Sequence, residues 1–215
     1  MIKAVIFDFD GVIGDTMADN YTAWKKAFAQ YDIDIQPLEY YLLEGMGRFQ
    51  VARHFIEKYH LDPIIANAVV EAKELNYKLN NSFKFYPEVD PILNLWKQKN
   101  IATAIVTGAS RMRITEQLTF AIKEQVTTVI TADDVKNSKP DPEPYTKAVL
   151  QLNLNASDCL VVENATLGIQ AAKAAGCSCF AIETTLDKSH LNQSDKVFKN
   201  HYELLLELNN MLSLQ

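Results

Sequence analysis

Apolar and polar positions along this chain alternate between two textures. Residues 3 to 7, KAVIF, put an unbroken apolar run after one lysine, the pattern of a strand buried on both faces. The next such run comes only at 101 to 106. Between them Trp24, Phe28 and Tyr31 recur at helical spacing, as do Val51, Phe55 and Tyr59, and PIIANAVVEAKELNYKL continues the period from Pro63. That stretch is predicted to be a set of amphipathic helices with the aromatics as helix core. Asp15 or Thr16 suits the cap of the first, and Pro63 the first turn of the last.

From about residue 84 the texture changes to alternation of helix and strand. Helices are expected after Pro87 and over 111 to 122, 142 to 152 and 165 to 175, with strands at 101 to 106, 127 to 131, 159 to 162 and 178 to 182. A short KVF strand at 196 to 198 and a terminal helix from about 201 complete the chain, and Gly176 suits the left-handed residue that closes a helix. Strands alternating with helices imply an α/β fold with a parallel sheet covered on both faces, joined by right-handed crossovers. The predicted organisation is an α/β core of residues 1 to 15 and 83 to 215, interrupted by a helical insert at 16 to 82.

Composition changes this picture little. With 215 residues, 48% apolar and 22% charged, the chain is long enough for one large core plus a satellite, without disulfides or low-complexity tracts. The net charge of -6 argues against broad binding to nucleic acid or membrane surfaces, so an anionic substrate needs positive charge focused locally. Cys159, Cys177 and Cys179 have no zinc-like spacing and are read as buried strand cysteines of a reducing compartment. A start that runs directly into a strand, and no apolar stretch of about 18 residues, lead to the expectation of a cytoplasmic protein. A monomer is expected, because no heptad seam or long apolar edge offers itself to a partner.

Ligands of open parallel sheets gather at the carboxyl ends of the strands, so the residues after each apolar run belong together. After the first strand come Asp8 and Asp10, and after the second Thr107, Gly108, Ala109 and Ser110. A loop after the third carries Ser138, Lys139 and Pro140, and after the fourth come Glu163 and Asn164. Each alone has a structural explanation: Asp10 before Gly11 suits a turn, Lys139 a solvated charge, Glu163 a helix N-terminus. Their convergence at four strand ends outweighs those separate readings. Two neighbouring carboxylates repel unless a cation lies between them, and oxygen ligands suit magnesium, so the strand ends are expected to form a metal and reaction centre.

Four segments in order, DFDGVIGDT, IVTGAS, SKPDPEPY and VVENATLGIQAAKAAG, make the whole chain resemble the haloacid dehalogenase superfamily. The similarity is to the branch with a helical cap inserted after the first strand, that of beta-phosphoglucomutase and phosphoglycolate phosphatase. The resemblance implies a Rossmann-like three-layer core and gives each residue a role. Asp8 becomes the nucleophile and Asp10 the general acid and base. Thr107, Gly108 and Ala109 hold phosphate oxygens, and Lys139 neutralises Asp8 and the transferring group. Magnesium is held by Asp8, the Asp10 carbonyl, Glu163 and its neighbour. That neighbour, Asn164, departs from the aspartate often found there, and weaker magnesium binding than in relatives with two acids is predicted.

The insert bears on substrate. Asn20 stands where the mutases place a histidine that handles protons, which lowers the mutase reading. Arg48 in EGMGR matches the mutase phosphate-binding arginine, and Lys73 falls near a substrate lysine of the family, with plain helix-surface charge as the alternative for both. The expectation is a magnesium-dependent phosphatase acting on a small phosphorylated metabolite, such as a sugar phosphate. The alternatives are a phosphomutase and a phosphate-binding regulatory protein without turnover.

Overall fold

The computed structural model describes residues 2–213. Six parallel strands form one sheet in the order β3-β2-β1-β4-β5-β6. They are β1 (Ala4–Phe7), β2 (Ala102–Val106), β3 (Thr128–Ile130), β4 (Cys159–Glu163), β5 (Ser178–Ile182) and β6 (Lys196–Phe198). From β1 the chain builds outward through β2 and β3, then returns to β4 on the other side. The strand order therefore reverses between β1 and β4, where a crevice opens at the carboxyl edge. Phe7 pairs with Ile105 on one side and Val162 on the other, so Asp8 leaves the sheet at its centre.

Strand alternation divides the core into two apolar layers. Val5, Phe7, Ile105, Leu160 and Val162 pack on Leu93 and Trp96 of helix α5 (Val89–Gln98) and on Leu204 and Leu208 of α10 (His201–Ser213). Ala4, Ile6, Ala104, Val106, Val161 and the three cysteines face Tyr145 and Ala148 of α8 (Glu143–Gln151) and Ile169 and Ala172 of α9 (Thr166–Ala174). The cysteines are buried and free, as expected. Gly176 takes φ +83° and closes α9. The architecture is the expected three-layer parallel α/β core with an inserted helical cap.

The cap consists of α1 (Met17–Ala29), α2 (Pro37–Tyr41), α3 (Arg48–Lys58) and α4 (Ala66–Asn80) around a separate cluster that includes Trp24, Phe28, Ile35, Phe55 and Val69. Phe28 and Phe55 meet edge to face at 5.5 Å. Each such buried ring contributes roughly 1.5–3 kcal/mol. Two linkers run side by side into the core: Asp15 N donates to Lys84 O at 3.0 Å and Tyr86 N to Ile13 O at 3.1 Å.

Three local expectations change. Thr16 sits at the N-cap of α1 but makes no capping bond, because its hydroxyl donates to Asp10 Oδ1 at 2.5 Å. The helix expected over 111 to 122 divides into α6 (Arg111–Gln117) and α7 (Phe120–Lys123), since Leu118 turns extended and Thr119 accepts from Ile122 N as a new cap. Helix α2 is too short for periodicity to reveal; Pro37 opens it, and Gln36 N donates to the Glu39 carboxylate at 2.8 Å. Pro63 starts a 3-10 turn capped by Asp62, which feeds α4.

Candidate active site

Asp8 is the first residue past β1, and its N donates to Val162 O at 3.0 Å, which continues the ladder and aims its side chain across the crevice. There it meets Lys139, whose ammonium lies 2.5 Å from Asp8 Oδ1 and 2.6 Å from Glu163 Oε1. Residues 8, 139 and 163, far apart in sequence, thus form one buried ion cluster. Burial alone would lower the lysine, but Asp8 and Glu163 outweigh it and hold the ammonium firmly charged.

Glu163 has no acceptor position left over. Oε1 takes Lys139 and, at 2.6 Å, the Tyr145 hydroxyl. Oε2 accepts from the backbone N of Asn164 at 3.0 Å and of Ala165 at 3.2 Å. Sequence reading places Glu163 as a metal carboxylate; in the structure its bonds anchor Lys139. Tyr145 escapes notice in the sequence, although it closes the SKPDPEPY segment in the first turn of α8.

Asp10 occupies the second half of the site. Thr16 and, at 3.2 Å, Asn20 Nδ2 donate to its Oδ1, while Arg113 donates to its Oδ2. Burial would raise Asp10, but Arg113 with the Thr16 hydroxyl outweighs it and holds the carboxyl below its ordinary range. Arg113 has no signal in the sequence, where an arginine in an amphipathic helix reads as surface.

The phosphate loop follows β2. Thr107 Oγ1 accepts from Ala109 N at 3.0 Å, which shapes the turn, and Gly108 and Ala109 stand on the wall of a small cavity of about 40 Å³. Asp10, Arg48 and Lys73 share that wall, with Asn20, Trp24, Tyr40 and Glu44 from the cap side. Arg48 reaches the half-exposed Asp133 at 3.8 Å and lies over the Phe49 ring at 5.5 Å. Lys73 is buried, pairs with Glu74 at 3.1 Å and lies over the rings of Trp24 and Tyr77. The structure therefore takes it off the helix surface and gives it a wall position. The cap touches the core beside Lys139 as well, where Gly47 N donates to Ser138 Oγ at 3.0 Å.

The donors fit magnesium. Asn164 Oδ1 is buried with no hydrogen-bond partner, an oxygen left for a hard cation. Burial pushes the Asp8 carboxyl up, and although Lys139 opposes it, Glu163 and Asp10 add to the rise, an excess of negative charge that a cation relieves. Among the described residues no three His, Cys, Asp and Glu side chains are grouped to hold a metal. A cation here would depend on the Asp10 carbonyl and the Asn164 amide oxygen besides Asp8.

Acidic oxygens beside a buried ammonium, at the carboxyl edge of a parallel sheet beneath a helical cap, equip a hydrolase of phosphoric monoesters. The chain belongs to the haloacid dehalogenase-like hydrolases, whose family model matches residues 5–182. It is 27% identical to the validoxylamine A 7'-phosphate phosphatase of Streptomyces hygroscopicus subsp. limoneus, over 95% of this chain and 96% of the relative. It is 31% identical to the fructose-1-phosphate phosphatase of Escherichia coli (strain K12), over 80% of this chain and 92% of that one. The crystal structure of beta-phosphoglucomutase from Clostridium difficile superimposes with a TM-score of 0.82 at 26% identity, with 100% of each chain covered.

Proposed function

We propose that this enzyme is a magnesium-dependent phosphatase that hydrolyses a small phosphate monoester, such as a sugar phosphate, through an aspartyl phosphate on Asp8. The observation that carries the reading is the Lys139 ammonium held within 2.5 Å of Asp8 and 2.6 Å of Glu163. An Asp8 oxygen attacks phosphorus as the bond to the leaving alcohol breaks, and Asp10, ionised in the free site, relays to that alcohol oxygen the proton carried in by the monoanionic ester. Asp10 then takes a proton from water, whose oxygen attacks phosphorus, releases inorganic phosphate and restores Asp8. Lys139 balances the charge on Asp8 and on the transferring group, while Thr107 and the amide of Gly108 hold its oxygens and Ala109 shapes the loop around them. Asp8, the Asp10 carbonyl and Asn164 would hold magnesium, which would supply further positive charge for the transferring phosphoryl group.

Likeness to beta-phosphoglucomutase in fold supports a mutase as the second reading. Against it stands Asn20, an amide that donates to Asp10 and takes up no proton itself. The deciding experiment is a magnesium-supplemented panel of phosphorylated metabolites, with inorganic phosphate and isomerised ester both quantified. Free phosphate equal to the alcohol produced is expected, with Asp8→Asn reducing turnover by at least about 10³-fold. Isomerised ester with little free phosphate assigns the chain to the mutases. Binding without turnover, unchanged in Asp8→Asn, assigns it to regulatory binders.

A further inference from the structure

The wall of the cavity between cap and core carries three acids, Asp10, Glu44 and Glu74, and three cations, Arg48, Lys73 and Arg113. The cations are already matched. Arg113, on core helix α6, donates to Asp10 Oδ2 and, at 3.3 Å, to Asn20 Oδ1 of cap helix α1. Lys73 pairs with Glu74 at 3.1 Å and Arg48 with Asp133 at 3.8 Å. Glu44 is the acid left over, in an ion pair with none of the described residues. The Tyr40 hydroxyl spends its one proton on Glu44 Oε2, at 2.9 Å, and no donor among the described residues reaches Oε1. The segment that carries Glu44 presses on the reaction centre. Gly45 takes φ +96°, and a Cβ there would lie 3.0 Å from Lys139 Cδ, while one on Gly108 would lie 3.3 Å from Met46 O. An alcohol esterified to phosphorus beside Lys139 and Gly108 therefore has Glu44 among its nearest wall groups.

We propose that Glu44 is a specificity-determining residue that selects a phosphate monoester whose leaving alcohol carries an ammonium group, as an amino-sugar phosphate does, an inference that rests on the phosphatase reading above. A carboxylate turned away from water is costly unless a cation faces it. Arg113 and Lys139 act on Glu44 from a distance, and with the Tyr40 bond they fall short of burial and Asp10, which push the carboxyl up to about 7. A ligand hydroxyl would give Oε1 a hydrogen bond but leave the charge unanswered. A metal ion needs more oxygens than this corner offers, since both Asp10 oxygens already accept hydrogen bonds. An amine that is protonated at neutral pH supplies donor and charge together.

Pairs of esters that differ in one group isolate this contact: glucosamine 6-phosphate against glucose 6-phosphate, glucosamine 1-phosphate against glucose 1-phosphate, and phosphoethanolamine against 2-hydroxyethyl phosphate. With magnesium-supplemented full-length protein near neutral pH, the amino member of at least one pair is expected to exceed its hydroxyl counterpart in kcat/KM by roughly 10–100-fold, the reach of a charge-assisted hydrogen bond. Glu44→Gln keeps the shape and an acceptor oxygen but removes the charge, and in that pair the ratio is expected to fall to about threefold or less. A preference below about tenfold in every pair, or one that survives in Glu44→Gln at more than about threefold, overturns the proposal. A wild type that releases phosphate from no ester at all ends the phosphatase reading instead. Calorimetric titration of the same pairs into the wild type then decides the inference by itself: an amino member bound about tenfold or more tighter supports it, and equal, weaker or absent binding overturns it.

Discussion

The carboxamide of Asn164 turns its nitrogen to the Thr185 hydroxyl at 3.1 Å and leaves its oxygen unpartnered. Replacing it by aspartate adds the negative charge that hard cations favour. Asn164→Asp is expected to tighten magnesium roughly tenfold in a calorimetric titration, and an unchanged or weaker affinity would place Asn164 away from the cation. Glu44, the first residue of the EGMGR segment, lies half-buried on the cavity wall, where Tyr40 donates to it at 2.9 Å. Burial first and Asp10 second push its carboxyl from 4.5 up to about 7. A pKa raised in the folded state means that the folded protein holds the extra proton. The stability linked to it is complete below pH 4.5 and is lost as pH rises through about 7. Glu44→Gln has no such loss. Its melting temperature should exceed that of the wild type by roughly 5 °C at pH 8 and by little at pH 5. A difference independent of pH would remove Glu44 from a dehydrated site.

Among the elements, the packing of α9 on β4 most directly supports the site. A Cβ added at Gly168 would lie 1.8 Å from Glu163 Oε1, so only a hydrogen fits where the helix crosses the anchoring carboxylate. Gly168→Ala must displace either the helix or Glu163, and through Glu163 it disturbs Lys139. The expected cost is about 1–3 kcal/mol, together with a fall in kcat larger than the stability loss explains. A variant as stable and as active as the wild type would contradict the close approach. The break between α6 and α7 belongs to the same scale. Ser110 accepts from Arg113 N and starts α6, so Arg113 stands in the first turn, where the helix meets the cap.

At the scale of the whole molecule, the site lies between the two-layered apolar core and the separate apolar cluster of the cap, both built from side chains that need no cation to pack. Chelation should therefore abolish phosphate release, with full recovery on adding magnesium, while the melting temperature drops by only a few degrees. Simultaneous loss of activity and cooperative unfolding would make the cation structural. Among the described residues no helix is long and apolar enough to cross a membrane.

The sequence alone determined the order of the strands along the chain and the helical texture of the insert, because burial on two faces or one imposes a period that survives in one dimension. It also marked the strand-end residues Asp8, Asp10, Thr107, Lys139 and Glu163, because in a parallel sheet every strand delivers its last residue to the same edge. Tertiary structure alone decided the partners: that Glu163 spends both oxygens on anchoring, that Thr16 serves Asp10 instead of its helix, and that Arg113 joins cap to core. Those contacts depend on side-chain directions, whether the partners stand 6 residues apart, as Thr16 and Asp10 do, or 103, as Asp10 and Arg113 do. No local pattern carries such information, since a buried cation and an exposed one look alike until the surrounding elements are folded around them.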